Sequence, residues 1–129
     1  MISLITLEQY LMGRDKLAPL TAEMLEDALT MVERANLLLK AFGMYRDITS
    51  GYRPEAINSK VKNAAKKSNH ILCRATDFQD RDGHLDHYCM NHQQKLIEIG
   101  LWLEHPSGTP GWCHVQIRQP GSGNRVFFA

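Results

Sequence analysis

The stretch SNHILCRATDF, residues 68–78, places a histidine and an aspartate seven positions apart. Side chains alternate along a strand, so His70 and Asp77 would lie on opposite faces of one straight strand. They can converge only if the chain turns between them, near residues 71–74. The alternating residues 75–78 then predict a strand that carries Asp77. The stretch therefore predicts a turn and a strand that direct an imidazole and a carboxylate at one point.

A second segment, WCHVQI at residues 112–117, alternates in the same way. Its apolar residues are expected to face the core, and the open side of the sheet then receives Trp112, His114 and Gln116. A single strand histidine is more often an ordinary polar residue, so the inference rests on the combination. Two imidazoles and one carboxylate form a ligand set suited to catalytic zinc, with the fourth position left for water.

Composition limits the classes of protein. A chain of 129 residues is expected to form one domain, residues 1–129, with a core that needs no disulfides. The net charge of +1 gives no electrostatic case for a nucleic acid or an anionic membrane as partner. We expect a monomer. The three cysteines are expected to be reduced thiols, namely Cys73, Cys89 and Cys113.

Location in the cell is also an expectation from the sequence. The first 16 residues have no positive n-region, and Glu8 and Gln9 interrupt their apolar run, so they do not read as a signal peptide. No apolar stretch is long enough to span a bilayer. We expect a protein that is made and held in the cytoplasm, without membrane insertion, and that reaches a site outside only if something else releases it.

Periodicity predicts helices first, then strands with one helix between them. Helices are expected from Thr6, ended by Gly13, and from Thr21, ended by Gly43. The remaining expected elements are strands at 45–50, 74–78, 101–104, 112–118 and 125–128, helices at 55–61 and 87–100, and a loop or helix end at 62–67. This order predicts an α+β fold, a small antiparallel sheet packed against the N-terminal helices.

The pattern Ser68-x-His70-x-x-Cys73-x-Ala75-x-Asp77 resembles a family motif, SxHxxGxAxD. The motif belongs to the zinc D-alanyl-D-alanine carboxypeptidases and L-alanyl-D-glutamate endopeptidases. That family includes many bacteriophage peptidoglycan hydrolases and has a fold related to the hedgehog signalling domain.

Three further elements resemble the same family in order and spacing. Residues 49–54, TSGYRP, look like its SGYR segment, Asn58 follows at the usual distance, and Trp112-x-His114-Val115 looks like its closing WxHV element. The resemblance covers residues 45–117. The N-terminal helices fit the phage branch only loosely.

The resemblance implies zinc bound by His70, Asp77 and His114, and hydrolysis of an amide bond in the peptidoglycan stem peptide. Arg53 would lie near the scissile carbonyl. Substrate contacts are expected from Ser50, Tyr52, Ser68 and Trp112, with Ser68 also able to orient a ligand. The phage branch implies an endolysin, held in the host cytoplasm until it is released to the cell wall.

Two positions depart from the family pattern. Cys73 stands where the motif has glycine, so either the turn is reshaped or the thiol lies close to the metal. Many relatives carry an acidic residue three positions before the last histidine, where this chain has Gly111. We therefore expect the general base to be Glu104, at the end of the strand that pairs with residues 112–117. The alternative for Glu104 is an exposed charge at the end of a strand.

Two alternatives remain open on the sequence. The first is a non-catalytic binding or phage assembly protein that keeps the zinc fold, an option that the missing acid at position 111 favours. The second is a further metal site in a patch rich in histidine and aspartate, for which a solvated turn followed by the polar face of a helix is the favoured explanation; the members of the patch are Asp82, His84, Asp86, His87 and His92.

Overall fold

The chain folds into helices and one mixed sheet, as the α+β prediction requires. The structure, a computed structural model, describes residues 3–61 and 68–129, so the expectation for residues 62–67 lies outside the described residues. In chain order the elements are α1 (Leu7–Leu11), a 3-10 turn (Arg14–Lys16), α2 (Ala22–Phe42), β1 (Ile48–Ser50), α3 (Glu55–Asn58), β2 (Ala75–Gln79), α4 (His84–Asn91), α5 (Gln93–Ile99), β3 (Trp102–Glu104), a 3-10 turn (Pro106–Gly108), β4 (Trp112–Gln116) and β5 (Val126–Phe127).

The first two helices begin at the predicted caps. The Thr6 hydroxyl accepts from the Gln9 amide at 3.1 Å, and the Gln9 side chain accepts from the Thr6 amide at 2.8 Å. Thr21 caps α2, and Gly43 ends it in the left-handed conformation at φ +88°. The end of α1 was predicted one residue late, because Met12 itself adopts φ +58° and closes the helix before Gly13.

The predicted helix over 87–100 is two helices. The side-chain nitrogen Nδ2 of Asn91 donates to the His87 carbonyl at 2.8 Å, and the side-chain Nδ1 of His92 lies 2.8 Å from the Tyr88 carbonyl. Such side-chain bonds to the preceding turn compete with continued helix. The backbone of His92 leaves the helical region at φ −134°, ψ 47°, and α5 starts after it.

The strands form one sheet in the order β1-β2-β4-β3-β5. The pairs β1–β2, β2–β4 and β4–β3 are antiparallel, and the pair β3–β5 is parallel. The predicted α+β fold is confirmed, and the pairing of β5 with β3 departs from the antiparallel arrangement that was expected. The reason is the connection over residues 117–125, which carries the chain from β4 past β3 to the far side of that strand. The chain therefore enters β5 running in the same direction as β3, whereas a hairpin would give an antiparallel neighbour.

The core lies between one face of the sheet and the helices. Strand residues Phe78, Leu103, Cys113 and Val115 are fully buried there. The helices bury against this layer a set of apolar side chains, namely Ala28, Met31, Ala35, Leu38, Leu39, Leu85, Cys89 and Leu96. Within residues 3–61 and 68–129, none of the helices combines the length and apolar character that crossing a membrane requires. The other face of the sheet stays open for polar side chains.

Tyr10 anchors α1 to the sheet and to the chain before the 68–78 turn. It is fully buried, and its hydroxyl donates to the Ala75 carbonyl at 2.7 Å. Its own carbonyl accepts from the Tyr52 amide at 3.0 Å. The N-terminal helix therefore fixes both segments that approach His70.

The turn at Cys73 keeps the conformation that glycine would favour. Cys73 adopts φ +61°, and its side chain is fully buried in the apolar core. Burial, with Asp27 adding, raises the pKa of the thiol to about 12. Cys73 thus adopts the positive φ that a glycine would tolerate, and its thiol packs in the core and is not a member of the His70–Asp77–His114 group. Packing of the thiol offsets a strained backbone, which typically costs about 1–2 kcal/mol for a residue with a Cβ.

We expect Cys73→Gly to be more stable than Cys73→Ala by about 0.5–1 kcal/mol, measured by urea unfolding. Both variants lose the thiol. Glycine also relieves the left-handed strain of about 1–2 kcal/mol, from which its greater freedom in the unfolded chain subtracts about 0.5–1 kcal/mol.

The matched control is Cys89, which is equally buried but lies inside α4. There the order should reverse, because glycine is about 1 kcal/mol less favourable than alanine within a helix. Equal or greater stability of Cys73→Ala over Cys73→Gly would contradict the strain at this turn.

Candidate metal centre and active site

A single row of residues crosses the open face of the sheet. Ser50 on β1 lies opposite Asp77 on β2, and Asp77 lies opposite His114 on β4. Trp102 and Leu103 of β3 pair with Gln116 and Val115 of β4, so continuing that register places Glu104 opposite His114. Directly opposed residues share a face and lie within about 5.5 Å of each other. The row Ser50, Asp77, His114 and Glu104 therefore forms one surface.

His70 reaches this row from the turn, as the sequence predicts. Its Nε2 lies 3.2 Å from Oδ2 of Asp77, and His114 Nδ1 lies 2.8 Å from the other carboxylate oxygen. One ligand atom from each of the three residues lies within 4.8 Å of the other two. The turn at 69–73 thus brings His70 and Asp77 of the SNHILCRATDF stretch together. Within the described ranges, this is the group that could hold a metal ion.

The ring of His70 is oriented by a main-chain carbonyl. Its Nδ1 lies 2.9 Å from the oxygen of Gly51, so Nδ1 carries the proton and Nε2 is free to face Asp77. Gly51 has to be glycine, because a Cβ there would collide with the carbonyl oxygen of Tyr10. The glycine of the TSGYRP segment thus serves the metal ligand by allowing a close approach of two chain segments.

His114 has the opposite tautomer. Its Nε2 lies 2.9 Å from the side-chain oxygen of Gln116, which can only accept, so Nε2 carries the proton and Nδ1 faces Asp77. Each imidazole thus turns a protonated nitrogen to an acceptor outside the cluster, while its inward nitrogen donates to Asp77 when it is also protonated and can bind a metal when it is bare. Outward N–H groups bound to protein oxygens are typical of metal-ligating histidines. The donor set fits a zinc ion with one open position.

Charge in the cluster is concentrated on the carboxylate. Burial would raise the pKa of Asp77, but hydrogen bonds from His114 and His70 outweigh it and hold the pKa well below its usual range. Burial would lower the pKa of His114, and the bond to Asp77 outweighs this and raises it. Asp77 is therefore an anion at neutral pH, which is the state that a metal ligand requires.

Glu104 lies beside the cluster without belonging to it. Its carboxylate packs against Gly108, where an added Cβ would stand 2.6 Å from Oε2. Burial raises the pKa of Glu104, with the charge of His114 lowering it and that of Asp77 raising it. The half-buried carboxylate therefore interacts electrostatically with His114 and Asp77, although it is not a member of the three-residue group.

Arg53 and Ser68 lie next to His70 and bond to each other. The guanidinium donates from Nε to the Asn58 side chain at 2.9 Å and from Nη2 to the Ser68 hydroxyl at 3.3 Å. The same hydroxyl accepts from the His70 amide at 3.2 Å. Burial lowers the pKa of Arg53, while Asp77 raises it, and the group stays a cation at physiological pH. Ser68 therefore links the cation to the backbone of a ligand.

The other residues predicted to contact the substrate fall into two groups, those on the same face of the sheet as His114 and one that lies in the core. Trp112 is half-buried on the cleft face of β4, two positions before His114. Ser50 is 8% exposed, and among residues 3–61 and 68–129 its hydroxyl has no hydrogen-bond partner. Tyr52 does not line the cleft: it is 2% exposed, and its hydroxyl donates to the Ala18 carbonyl at 2.9 Å. Its role is to hold the TSGYRP segment against the core.

Fold and site together define an α+β protein whose sheet carries, on its open face, a His–Asp–His group that could hold a metal ion. A family model described as peptidase M15 matches residues 12–105, well over half of the chain. The chain belongs to the peptidase M15 family. Searches of curated proteins and of solved structures found no match to it.

The matched range includes His70, Asp77, Arg53 and Glu104 but ends before β4. The third member of the metal site, His114, is therefore placed by geometry: β4 pairs with β2 so that His114 opposes Asp77. Sequence reasoning gave Gln116 no role in the site. Its place two residues after His114, on the same face, was the available signal.

The patch rich in histidine and aspartate has a structural explanation. Asp80 accepts from the amides of Leu85 and Asp86 at 2.9 Å each and so holds the start of α4. Asp86 is 6% exposed; the Thr109 hydroxyl lies 3.4 Å from its Oδ2, while Oδ1 has no partner among the described residues. Burial, with the charge of Asp80 adding, raises the pKa of Asp86 to about 6. The metal-binding group found in the described part of the chain lies elsewhere.

We expect Asp86→Asn to remove a pH dependence of stability. The folded pKa of about 6 exceeds the value of about 3.9 in an unfolded chain, so the contribution of Asp86 is full below pH ~4 and is lost as the pH rises through ~6. The loss is on the order of 2 kcal/mol. The free energy of unfolding of the variant, relative to wild type, should rise by this amount between pH 4 and pH 7.5.

Urea unfolding across that range measures the difference. Glu26→Gln on the exposed side of α2 is the control and should follow the wild-type profile. Parallel profiles of wild type and Asp86→Asn would show that Asp86 is not the buried acid described here.

Proposed function

We propose that this protein is a zinc peptidase that hydrolyses an amide bond in the peptidoglycan stem peptide. The observation that carries the proposal is the convergence of His70, Asp77 and His114 with both imidazoles held in ligating tautomers. Membership of the peptidase M15 family supports the reaction type. The peptidoglycan substrate and a phage endolysin role rest on the resemblance of the SNHILCRATDF, TSGYRP and WCHV segments.

His70 Nε2, His114 Nδ1 and a carboxylate oxygen of Asp77 would hold the zinc ion. A zinc ion with three protein ligands supplies Lewis acidity and lowers the pKa of water in its fourth position to about 7. Asp77 contributes the negative charge of the ligand set, and its low pKa keeps that charge across the pH range of a cell.

Glu104 is the proposed general base and acid. It stands opposite His114 at the edge of the ligand set, so its carboxylate can take a proton from an attacking water and later deliver it to the leaving amine. Partial burial raises its pKa, which makes the carboxylate a better proton acceptor than an exposed one. Gly108 contributes by carrying no side chain where the carboxylate packs.

Arg53 is the proposed donor to the carbonyl oxygen as charge develops on it. Its guanidinium is fixed from two sides, by Asn58 and by Ser68, so it need not reorganise during the reaction. Ser50 and Trp112 lie on the same face as the ligands and would contact the peptide on either side of the scissile bond.

Purified peptidoglycan tests the substrate. Wild-type protein is expected to release stem-peptide fragments whose masses identify the bond that is cut, and to clear suspensions of permeabilised cells. Binding to the polymer without release of fragments would instead support the non-catalytic alternative. For the endolysin role, cytoplasmic expression should lyse cells only when a membrane-permeabilising protein is expressed with it.

Metal content tests the proposed site. We expect about one zinc per purified chain, loss of activity after chelation, and recovery when zinc is restored. His70→Ala should remove most of the bound zinc because it deletes one of three ligands. His84→Ala changes an exposed histidine, with its side chain 69% exposed, and should keep zinc and activity. Full cell-wall activity in metal-free wild type would exclude this mechanism.

Replacement of the proposed base separates catalysis from metal binding. We expect Glu104→Gln to bind zinc like wild type while kcat falls by about 10²–10⁴-fold, the typical contribution of a general base. Glu98→Gln on α5 is the matched control and should leave both quantities unchanged, since Glu98 is exposed. An unchanged kcat in Glu104→Gln would move the base to another residue.

A further inference from the structure

Gln116 is buried beside the metal site, although it is a polar residue on the open face of the sheet. Only 4% of it is exposed. It lies opposite Ala75 on β2 and Trp102 on β3, and it shares its face with His114 two positions earlier. Burial of an amide is costly unless its polar atoms are paired. The partners of this side chain therefore reveal what it is placed to do.

Both ends of the Gln116 amide are bonded. Its Nε2 donates to the carbonyl oxygen of Arg118 at 2.8 Å. This bond fixes the orientation of the amide and turns Oε1 to His114 Nε2, at 2.9 Å. A carbonyl oxygen accepts and never donates, so the arrangement requires a proton on Nε2 of His114. Nδ1 is then the nitrogen that faces Asp77 and His70, and it can bind a metal when it carries no proton.

The two metal-ligating histidines differ in how this is achieved. His70 is oriented by a main-chain oxygen, that of Gly51. His114 depends on one side chain. We propose that Gln116 is a positioning residue that fixes the tautomer and ring orientation of His114 and thereby strengthens zinc binding at the three-residue site. This inference rests on the proposed function, because it concerns the metal of that same site.

A neutral acceptor at this place also preserves charge at the metal. An amide oxygen orients the imidazole without adding negative charge, so a divalent ion held by Asp77 alone among the anionic ligands keeps a net positive charge. A carboxylate at position 116 would pull harder on the Nε2 proton and make the imidazole a stronger donor, at the expense of that positive charge. Gln116→Glu keeps the acceptor for His114 but loses the donor to the Arg118 carbonyl, so it should bind zinc more tightly than Gln116→Leu without having to match wild type.

Zinc affinity in competition with a chromogenic chelator tests the proposal on the full chain. Gln116→Leu and Gln116→Met keep the approximate volume but remove the acceptor, and we expect zinc affinity to fall about 10–100-fold. Gln116→Glu keeps the acceptor and should bind zinc more tightly than Gln116→Leu. Gln94→Leu, at an exposed position of α5, is the control and should match wild type. Circular dichroism of the metal-free proteins checks the fold of each.

A spectroscopic measurement on the wild type needs no variant. In zinc-loaded protein labelled with ¹⁵N at histidine, His114 should show a metal-bound Nδ1 and a protonated Nε2, and His70 the reverse. Coordination of His114 through Nε2 would overturn the inference. Zinc affinity within about twofold of wild type in Gln116→Leu and Gln116→Met variants that fold would also overturn it. Equal losses of zinc affinity in Gln116→Glu and Gln116→Leu would do the same, because they would indicate an effect of packing alone.

These outcomes are distinct from failure of the proposed function. A wild-type protein that takes up no zinc would contradict both proposals. Wild type that binds zinc and cleaves stem peptides, with an affinity indifferent to residue 116, would contradict only the role of Gln116.

Discussion

The carboxylate of Asp77, shared between two imidazoles, is the interaction on which the rest of the structure depends. Its two oxygens lie 3.2 Å from His70 Nε2 and 2.8 Å from His114 Nδ1, and the three residues come from a turn and two strands. A carboxylate buried on this scale is stable only with positive charge or N–H donors around it. The pairing of β2 with β4 and the turn before β2 therefore have to be accurate together.

This accuracy comes from backbone contacts around the three residues. Gly51 lets its chain segment pass so close to Tyr10 that its carbonyl can hold the His70 ring, and Tyr10 in turn bonds to Ala75, two residues before Asp77. Cys73 accepts a left-handed backbone so that the turn can close. A site held within tenths of an ångström needs such support, because the metal ligands cannot fix their own orientation.

Sequence reasoning succeeded where a simple period governs the structure. The odd separation of His70 and Asp77 requires the turn that the structure contains, and alternation along β4 places His114 on the cleft face. It failed where a distant partner decides. Parallel pairing of β5 depends on the path of residues 117–125, the buried state of Gln116 depends on the Arg118 carbonyl, and Tyr52 is drawn into the core by Ala18. None of these partners follows from local pattern.

The absence of an acid three residues before His114 is the feature that most favoured a non-catalytic protein, and the backbone at that place explains it. Gly111 adopts φ +90°, a conformation that side chains with a Cβ rarely adopt, and its carbonyl accepts from the Asp80 amide at 3.0 Å. A glutamate there would strain the turn that opens β4. Glu104 lies across the strand pair from His114, so β3 can supply at the same edge of the site the carboxylate that position 111 cannot carry. An acid at position 111 is therefore disfavoured by the turn as it stands, and the proposed function assigns its role to Glu104.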